Sequence, residues 1–332
     1  MFIINDYPLA VFFCFITMLC WGSWANTQKL AEGNWRFELF YWDYVLGIVL
    51  LSLIFGFTLG SIGDGGRSFL DDLGQATASS YWSALAGGAV FNLANILIVA
   101  AISLSGMAVA FPVGIGLALV LGVMINFISE QKGDPVWLFL GVALVTVAIV
   151  LDALAYKKNS KHQAKNVSKG LKLALIGGVL MSFFYFLVQQ SMSLNFQIPE
   201  VGKFTPYSAV FVFSLGIFFS NFVFNTILMR KPVDGTPVSY RDYFSGSFKV
   251  HLVGILGGAI WCIGMAFSII ASEQAGPAIS YGLGQGATMV AAFWGVFVWK
   301  EFKGASSSTQ TMIQSMFACF IIGIIIIIYA GL

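Results

Sequence analysis

The sequence predicts an all-α integral membrane protein: ten transmembrane helices arranged as two inverted five-helix repeats. Three observations predict it. First, of 332 residues 58% are hydrophobic and 10% charged, where a soluble domain carries about a quarter charged residues; the mean hydropathy is +0.86. Second, residues 91–128 form an uncharged apolar hairpin that Ser105-Gly106 splits in two. Each half has about 20 residues, the length that crosses a ~30 Å hydrocarbon core. Third, the hairpin recurs without a gap 170 positions later. Gly87-Gly88-Ala89 falls on Gly257-Gly258-Ala259, Gly106 on Gly276, Ala108 on Ala278, Gly114-x-Gly116 on Gly284-x-Gly286, and Val120 on Val290. The ~10-residue alternating strands of a membrane barrel have no counterpart here.

The elements follow in order. The apolar run 8–27 is read as a retained first span, because the N-terminus lacks the basic region of a signal peptide. The second span, 37–59, begins after Arg36. Spans three and four, 82–104 and 106–128, are the hairpin itself. The fifth, 135–156, ends at Lys157-Lys158. A short polar, basic linker, 157–169, separates the halves. Spans six and seven cover 170–194 and 205–229. Spans eight and nine, 250–272 and 277–299, are the second copy of the hairpin, and the tenth covers 310–331. The units are therefore a first repeat, 1–156, the linker, and a second repeat, 170–332. Five spans is an odd number, so the second repeat must start from the opposite side of the bilayer. That is the inverted repeat of many secondary transporters, which hold solute near the midplane between the halves.

Basic residues set the orientation. With the linker in the cytoplasm, Lys29, Arg36, the lysines from 157 to 172, Arg230, Lys231, Arg241, Lys249, Lys300 and Lys303 are inside. Only Arg67, Lys132 and Lys203 are outside. Both termini are then expected outside, in the cytoplasmic (inner) membrane. A net charge of +2 dispersed over loops speaks against nucleic acid. Cys14, Cys20, Cys262 and Cys319 all lie in apolar runs without a CxxC pair, so neither a disulfide framework nor a zinc site is expected. No cofactor is expected. A homodimer is compatible with the pattern.

Polar groups inside spans are costly and point to function. Asp43, within Tyr41-Trp42-Asp43-Tyr44, is the sharpest. A lone carboxylate among aromatic rings resists ionisation and can take up and release a proton during a transport cycle. The competing role is an interfacial carboxylate paired with Lys29 or Arg36. Asn92 and Asn95, three apart, share a helical face that can hold a polar solute, or can tie helices together. Asn221 and Asn225 form a similar pair, expected to be such a tie. Trp21, Trp24 and Gln28, at i, i+3 and i+7, make a face that is aromatic and then polar, suited to a planar heterocycle or sugar; the alternative is an interfacial aromatic belt. Gln189 and Gln190 are the approximate counterpart in the second half. Gln285, between Gly284 and Gly286, can point into a cavity. Pro112 breaks the ladder of the fourth span and is a candidate flex point, and Glu273 a candidate gating residue. Asp152, Lys300 and Glu301 are expected at the interface.

Enzyme motifs are missing. Neither H-E-x-x-H nor G-x-S-x-G occurs, and His162 and His251 lie in or beside loops. The loop 61–68 is similar to a phosphate loop but lacks its first Gly and its Lys. Gly282-x-Gly284-x-Gly286 lies within a span and is not a dinucleotide fingerprint.

Beyond these readings, the ten-span layout together with Tyr41-x-Asp43-Tyr44, Gly87-Gly88 and Phe293-Trp294-Gly295-Val296 resembles the ureide permeases of the drug/metabolite transporter superfamily. Tyr41-x-Asp43-Tyr44 is similar to their Y-x-D-Y. Gly87-Gly88 with Leu93-Ala94-Asn95 resembles G-G…L-G-N, and Asn126-Phe127 with 138–149 resembles N-Y-F…L-F-P-G-V. Tyr207-Ser208-Ala209 with Arg230 and Pro232, and Phe293-Trp294-Gly295-Val296 with Glu301, resemble later blocks. The plant members' long, Walker-like central loop has no match, so nucleotide regulation is not carried over. The resemblance implies proton-coupled uptake of allantoin, uracil or related oxo-heterocycles. Sugar porters of the glucose/ribose and rhamnose types resemble the chain too and imply proton-coupled sugar uptake. The sequence therefore leads to a secondary transporter with a small neutral solute, a proton and the bilayer as partners; export of drugs or metabolites, and sensing without flux, are the other classes.

Overall fold

The computed structural model describes residues 1–31, 35–159 and 166–332. Its named elements are all helical. In the first half they are α1 (Tyr7–Ser23), α2 (Asn26–Leu30), α3 (Phe37–Phe57), α4 (Phe69–Gln75), α5 (Ala78–Ser105), α6 (Met107–Phe111), a π-helical turn Pro112–Gly116, α7 (Leu117–Ser129) and α8 (Pro135–Asn159). The second half has α9 (Val167–Ser191), α10 (Pro206–Arg230), α11 (Tyr240–Phe244), α12 (Phe248–Ala275), α13 (Pro277–Gly284), α14 (Ala287–Phe293), a π-helical turn Trp294–Val298 and α15 (Ser307–Tyr329). Among the described residues eight helices are long and apolar enough to cross a membrane. The protein is a multi-pass membrane protein.

Two expected spans are not single helices. The first, expected over 8–27, is α1 alone with 17 residues, followed by a turn at 24–25 and α2. The ninth, expected over 277–299, is broken once, at Gln285-Gly286 between α13 and α14, and α14 runs on into the π turn Trp294–Val298. The fourth is continuous but kinked, with Pro112 opening its π turn; the missing N–H of proline frees carbonyls that the wider turn re-satisfies. The linker shrinks as well. α8 runs through Lys157 and Lys158 to Asn159, and α9 starts at Val167. The rest of the linker, 160–165, with Lys161, His162 and Lys165, lies outside the described residues.

The 170-residue offset reappears in the helices. α5 and α12 are both 28 residues long, and their bounds differ by 170. Each ends on a glycine, Gly106 (φ +77°) or Gly276 (φ +84°), in a conformation L side chains rarely adopt. Gly88 of α5 packs on α10, where a Cβ would lie 2.1 Å from Phe213 O; Gly258 of α12 packs on α3, where it would lie 1.9 Å from Tyr44 O. Small residues let backbones close up where lipid supplies no hydrophobic drive between helices. The tight pairs α3/α12 and α5/α10 each join one half of the chain to the other.

The two ends of the bundle differ. At one end the termini meet: Tyr7 Oη donates to Ile328 O (2.6 Å) and Asp134 N to Ala330 O (2.7 Å). The same end holds Arg67, which is bonded to the fully buried Asp72 (2.9 Å) and to the carbonyls of Pro199, Glu200 and Lys203. Asp72 Oδ2 also accepts from Thr205 N and Oγ1. Arg67→Ala leaves that carboxylate buried and without its cation, and breaking a buried pair costs about 3–5 kcal/mol. A clear drop in the thermal unfolding midpoint of the detergent-solubilised protein is expected; an unchanged midpoint would mean the 192–205 loop contributes nothing to stability.

Candidate solute and proton site

The centre of the bundle is aromatic. Trp261 of α12 stacks with Trp21 (5.8 Å, 13° between planes) and packs against Phe91 (4.5 Å), Phe213 and Tyr44. Trp24 leans on Tyr44 at 4.5 Å, and Tyr44 stacks on Tyr41 at 5.3 Å. Asn95 Nδ2 donates to Tyr41 Oη at 3.1 Å. Tyr41 and Tyr44 are fully buried, and Tyr44 Oη has no hydrogen-bond partner among the described residues. Flat rings with a few polar handles are what a small planar or ring-shaped solute needs: the rings supply area, and the amide and phenols fix orientation.

A cavity of about 570 Å³ opens at the basic end. Arg36, Phe37, Glu38, Val99, Ser103, Leu228 and residues 233–236 line it. Of its lining residues, Phe37 packs on Tyr41 (5.1 Å) and Val99 lies one helical turn from Asn95. Arg36 props its rim. The guanidinium is bonded to Glu38 (2.5 Å) and donates to Asp234 O (3.0 Å) and Thr236 O. The opposite end is tied shut: Glu273 Oε1 accepts from Phe196 N (2.8 Å), Lys132 donates to Glu273 O, and Gln190 Nε2 donates to Ser129 Oγ (2.9 Å).

Asp43 lies two turns into α3, 1% exposed, and is not alone. Its Oδ1 accepts from Tyr243 Oη of α11 (2.7 Å) and meets Nδ1 of His251 in the first turn of α12 (2.8 Å). The rings of Trp35, Tyr243 and His251 close around it, with Trp35 5.2 Å and Tyr243 4.8 Å from His251. Gly254 makes the contact possible, since a Cβ there would lie 2.3 Å from that of Asp43. The expected pairing with Lys29 or Arg36 is replaced. Lys29 goes to Glu301 (3.1 Å), which Tyr156 Oη also reaches (2.7 Å), and Arg36 goes to Glu38. His251, the second residue of the span expected over 250–272, carried no signal because nothing in the sequence brings it to Asp43, 208 residues away.

Other sequence-derived candidates separate. Trp21, Trp24 and Gln28 do not form one face. The turn at 24–25 puts Gln28 on α2, while Trp21 is wedged against Gly264 and Gly284 and donates to Trp261 O (3.3 Å). Asn92 and Asn95 part company. Asn92 is fully buried against α10, donating to Ile217 O (3.3 Å) and Ser220 Oγ (2.9 Å), whereas Asn95 turns to α3. Asn225 ties α10 to Glu38 O (2.9 Å). Gln189 is half-buried beside Tyr185, whose hydroxyl bonds to Ser268. Gln285 sits half-buried in the break between α13 and α14. Asp152, expected at the interface, is buried, 5% exposed. Among the described residues no group of three or more His, Cys, Asp or Glu is placed to hold a metal.

The family profile described as Ureide permease matches residues 40–169 and 161–330. Ureide permease 1 of Arabidopsis thaliana is 23% identical, with 98% of each chain aligned; ureide permease 2 of the same plant is 24% identical over 97% of this chain and 96% of its own. A putative sugar uptake protein of Streptococcus agalactiae is 21% identical over 94% and 95%. A solved crystal structure superimposes with a TM-score of 0.62 at 14% identity, covering 97% of this chain and 96% of that one; it speaks for the fold.

Proposed function

The chain belongs to the ureide permease family, a family of permeases rather than enzymes, and on that premise we propose that it is a proton-coupled symporter of a small neutral solute of the ureide or nucleobase kind. It works by alternating access between two inverted five-helix halves of the drug/metabolite transporter type, in the cytoplasmic membrane, with both termini outside. The observation that supports this reading is the cavity at the basic end, lined by Phe37 and Val99, which are each one helical turn from the hydrogen-bonded Tyr41 and Asn95, while Glu273 is hydrogen-bonded to Phe196 at the opposite end. That is the arrangement of an inward-facing state.

In the proposed cycle the solute lies against Trp24, Tyr41 and Asn95, with Asn92 bracing α5 from behind; Trp21, Gln28, Gln189 and Gln285 remain candidates for contacts made in another state of the cycle. Asp43 takes the proton. The ties of Glu273 release and reform as the outer gate, and the π turn at Pro112 and the break at Gln285 absorb the bending. Neutral hydrogen-bonding groups suit a ureide, which offers N–H and C=O together. The stacked Trp21 and Trp261 equally suit a sugar ring, and the streptococcal relative is named for sugar uptake; a glucose-, ribose- or rhamnose-type solute is therefore the second reading.

The test is uptake into sealed proteoliposomes under an inward proton gradient, using labelled allantoin, uracil, glucose and rhamnose, with and without a protonophore. Protonophore-sensitive uptake of allantoin or uracil is the expected result. Uptake of a sugar alone moves the solute class to the second reading. No uptake of any of them by vesicles of verified orientation overturns the importer reading in favour of export or sensing.

A further inference from the structure

We infer that His251 is the residue through which the coupling proton leaves Asp43 for the water at the basic end. The inference rests on the proton-coupled reading above and adds a second titrating group to it. A carboxylate only accepts hydrogen bonds, so the 2.8 Å contact to Asp43 Oδ1 places the proton of a neutral His251 on Nδ1 and leaves Nε2 as an acceptor. Nε2 faces the bend before α12, where a Cβ on Gly246 would lie 2.8 Å from it. The histidine side chain is 22% exposed, the aspartate side chain 1%. Water at the basic end therefore meets the imidazole, and the imidazole meets the carboxylate.

The step balances. The Asp43 proton passes from Oδ1 to Nδ1 as the Nε2 proton leaves to the basic-end water. A carboxylic acid and an Nε2–H imidazole become a carboxylate, an Nδ1–H imidazole and one released proton, and the product carries the Nδ1 contact seen here. Tyr243 Oη, 2.7 Å from the same oxygen, holds the carboxyl in line. Other groups around His251 are committed elsewhere. On the α3 side Arg36 and Glu38 bond to each other, on α11 Asp242 is held by Ser239 and Arg241 is exposed, and on α12 Lys249 has a contact of its own. A tie whose only purpose was to hold α3 against α12 would not need an ionisable ring, and the glycine contacts of Gly254 and Gly258 already hold these helices together.

Two measurements decide it. The chain has only two histidines, so imidazole-¹⁵N labelling of the detergent-solubilised protein yields two ring systems, and His251→Asn identifies the one in question. The expected result is a ring that carries its proton on Nδ1 in the parent and loses part of that preference in Asp43→Asn. A His251 ring with its proton on Nε2, or with the same tautomer ratio without the Asp43 charge, overturns the inference whatever the solute proves to be. In proteoliposomes His251→Asn keeps an N–H near the Nδ1 position but has no second ring nitrogen. It should lower proton-driven uptake by at least about tenfold and change its pH profile, with His251→Gln behaving alike. If Asp43→Asn abolishes coupling while both His251 variants keep the parent profile, this inference falls and the proton-coupled reading stands. If the parent's own uptake ignores the proton gradient, it is that reading which fails.

Discussion

Asp43→Asn is expected to abolish accumulation of solute. One proton moving down a 100 mV potential contributes about 2.3 kcal/mol, which corresponds to roughly 50-fold accumulation of a neutral solute at tenfold per 1.4 kcal/mol. The asparagine matches the carboxyl in size and still accepts from Tyr243 and His251 through its oxygen, so the packing against Gly254 is kept while the exchangeable proton is lost. In proteoliposomes energised by a proton gradient the internal-to-external solute ratio should fall from tens to about one. The same ratio should appear in the parent when a protonophore is added. A variant that still concentrates solute would remove Asp43 from the coupling role and leave the carboxylate as a helix tie.

Gly258→Val is expected to be the most damaging packing substitution. The added Cβ would lie 1.9 Å from Tyr44 O, a backbone atom that cannot swing aside, so α12 and α3 must separate along their whole contact. Overpacking of a tight contact costs about 1–3 kcal/mol and sometimes more. Here the same separation pulls Trp261 away from Tyr44 and His251 away from Asp43. The unfolding temperature in detergent should fall well below the parent value, and solute binding should go with it. Gly74→Ala is the control, because nothing lies within 4 Å of a Cβ there. Equal melting of Gly258→Val and the parent would contradict the close approach of the two helices.

Much of the architecture was legible because a bilayer imposes a coarse and unforgiving rule. Backbone polar groups have no water to bond, so a spanning segment must be a helix of roughly fixed length and apolar composition. That rule located α3, α5, α7, α8, α9, α10, α12 and α15, and the glycine correspondence at an offset of 170 anticipated that α5 and α12 would match in length and end alike. Breaks inside spans were harder to read. The turn at 24–25 and the break at Gln285 leave the residues apolar on either side, so a rule based on hydropathy and length does not see them.

The site divides along the same line. Sequence alone determined that Asp43 is an isolated charge in an aromatic, apolar span, that Asn95 is a candidate handle, and that the family has the character of a permease. Those facts follow from residue type and position within a span. Only tertiary structure decided who meets whom. It gave Asp43 the partners Tyr243 and His251, 200 and 208 residues away. It sent Lys29 to Glu301, separated Asn92 from Asn95, and opposed Trp21 to Trp261. The physical reason is that a side chain's direction around a helix is set by periodicity, whereas its neighbour is set by which helices pack together. That choice is made by glycines such as Gly254 and Gly258, whose effect is to let another backbone come close.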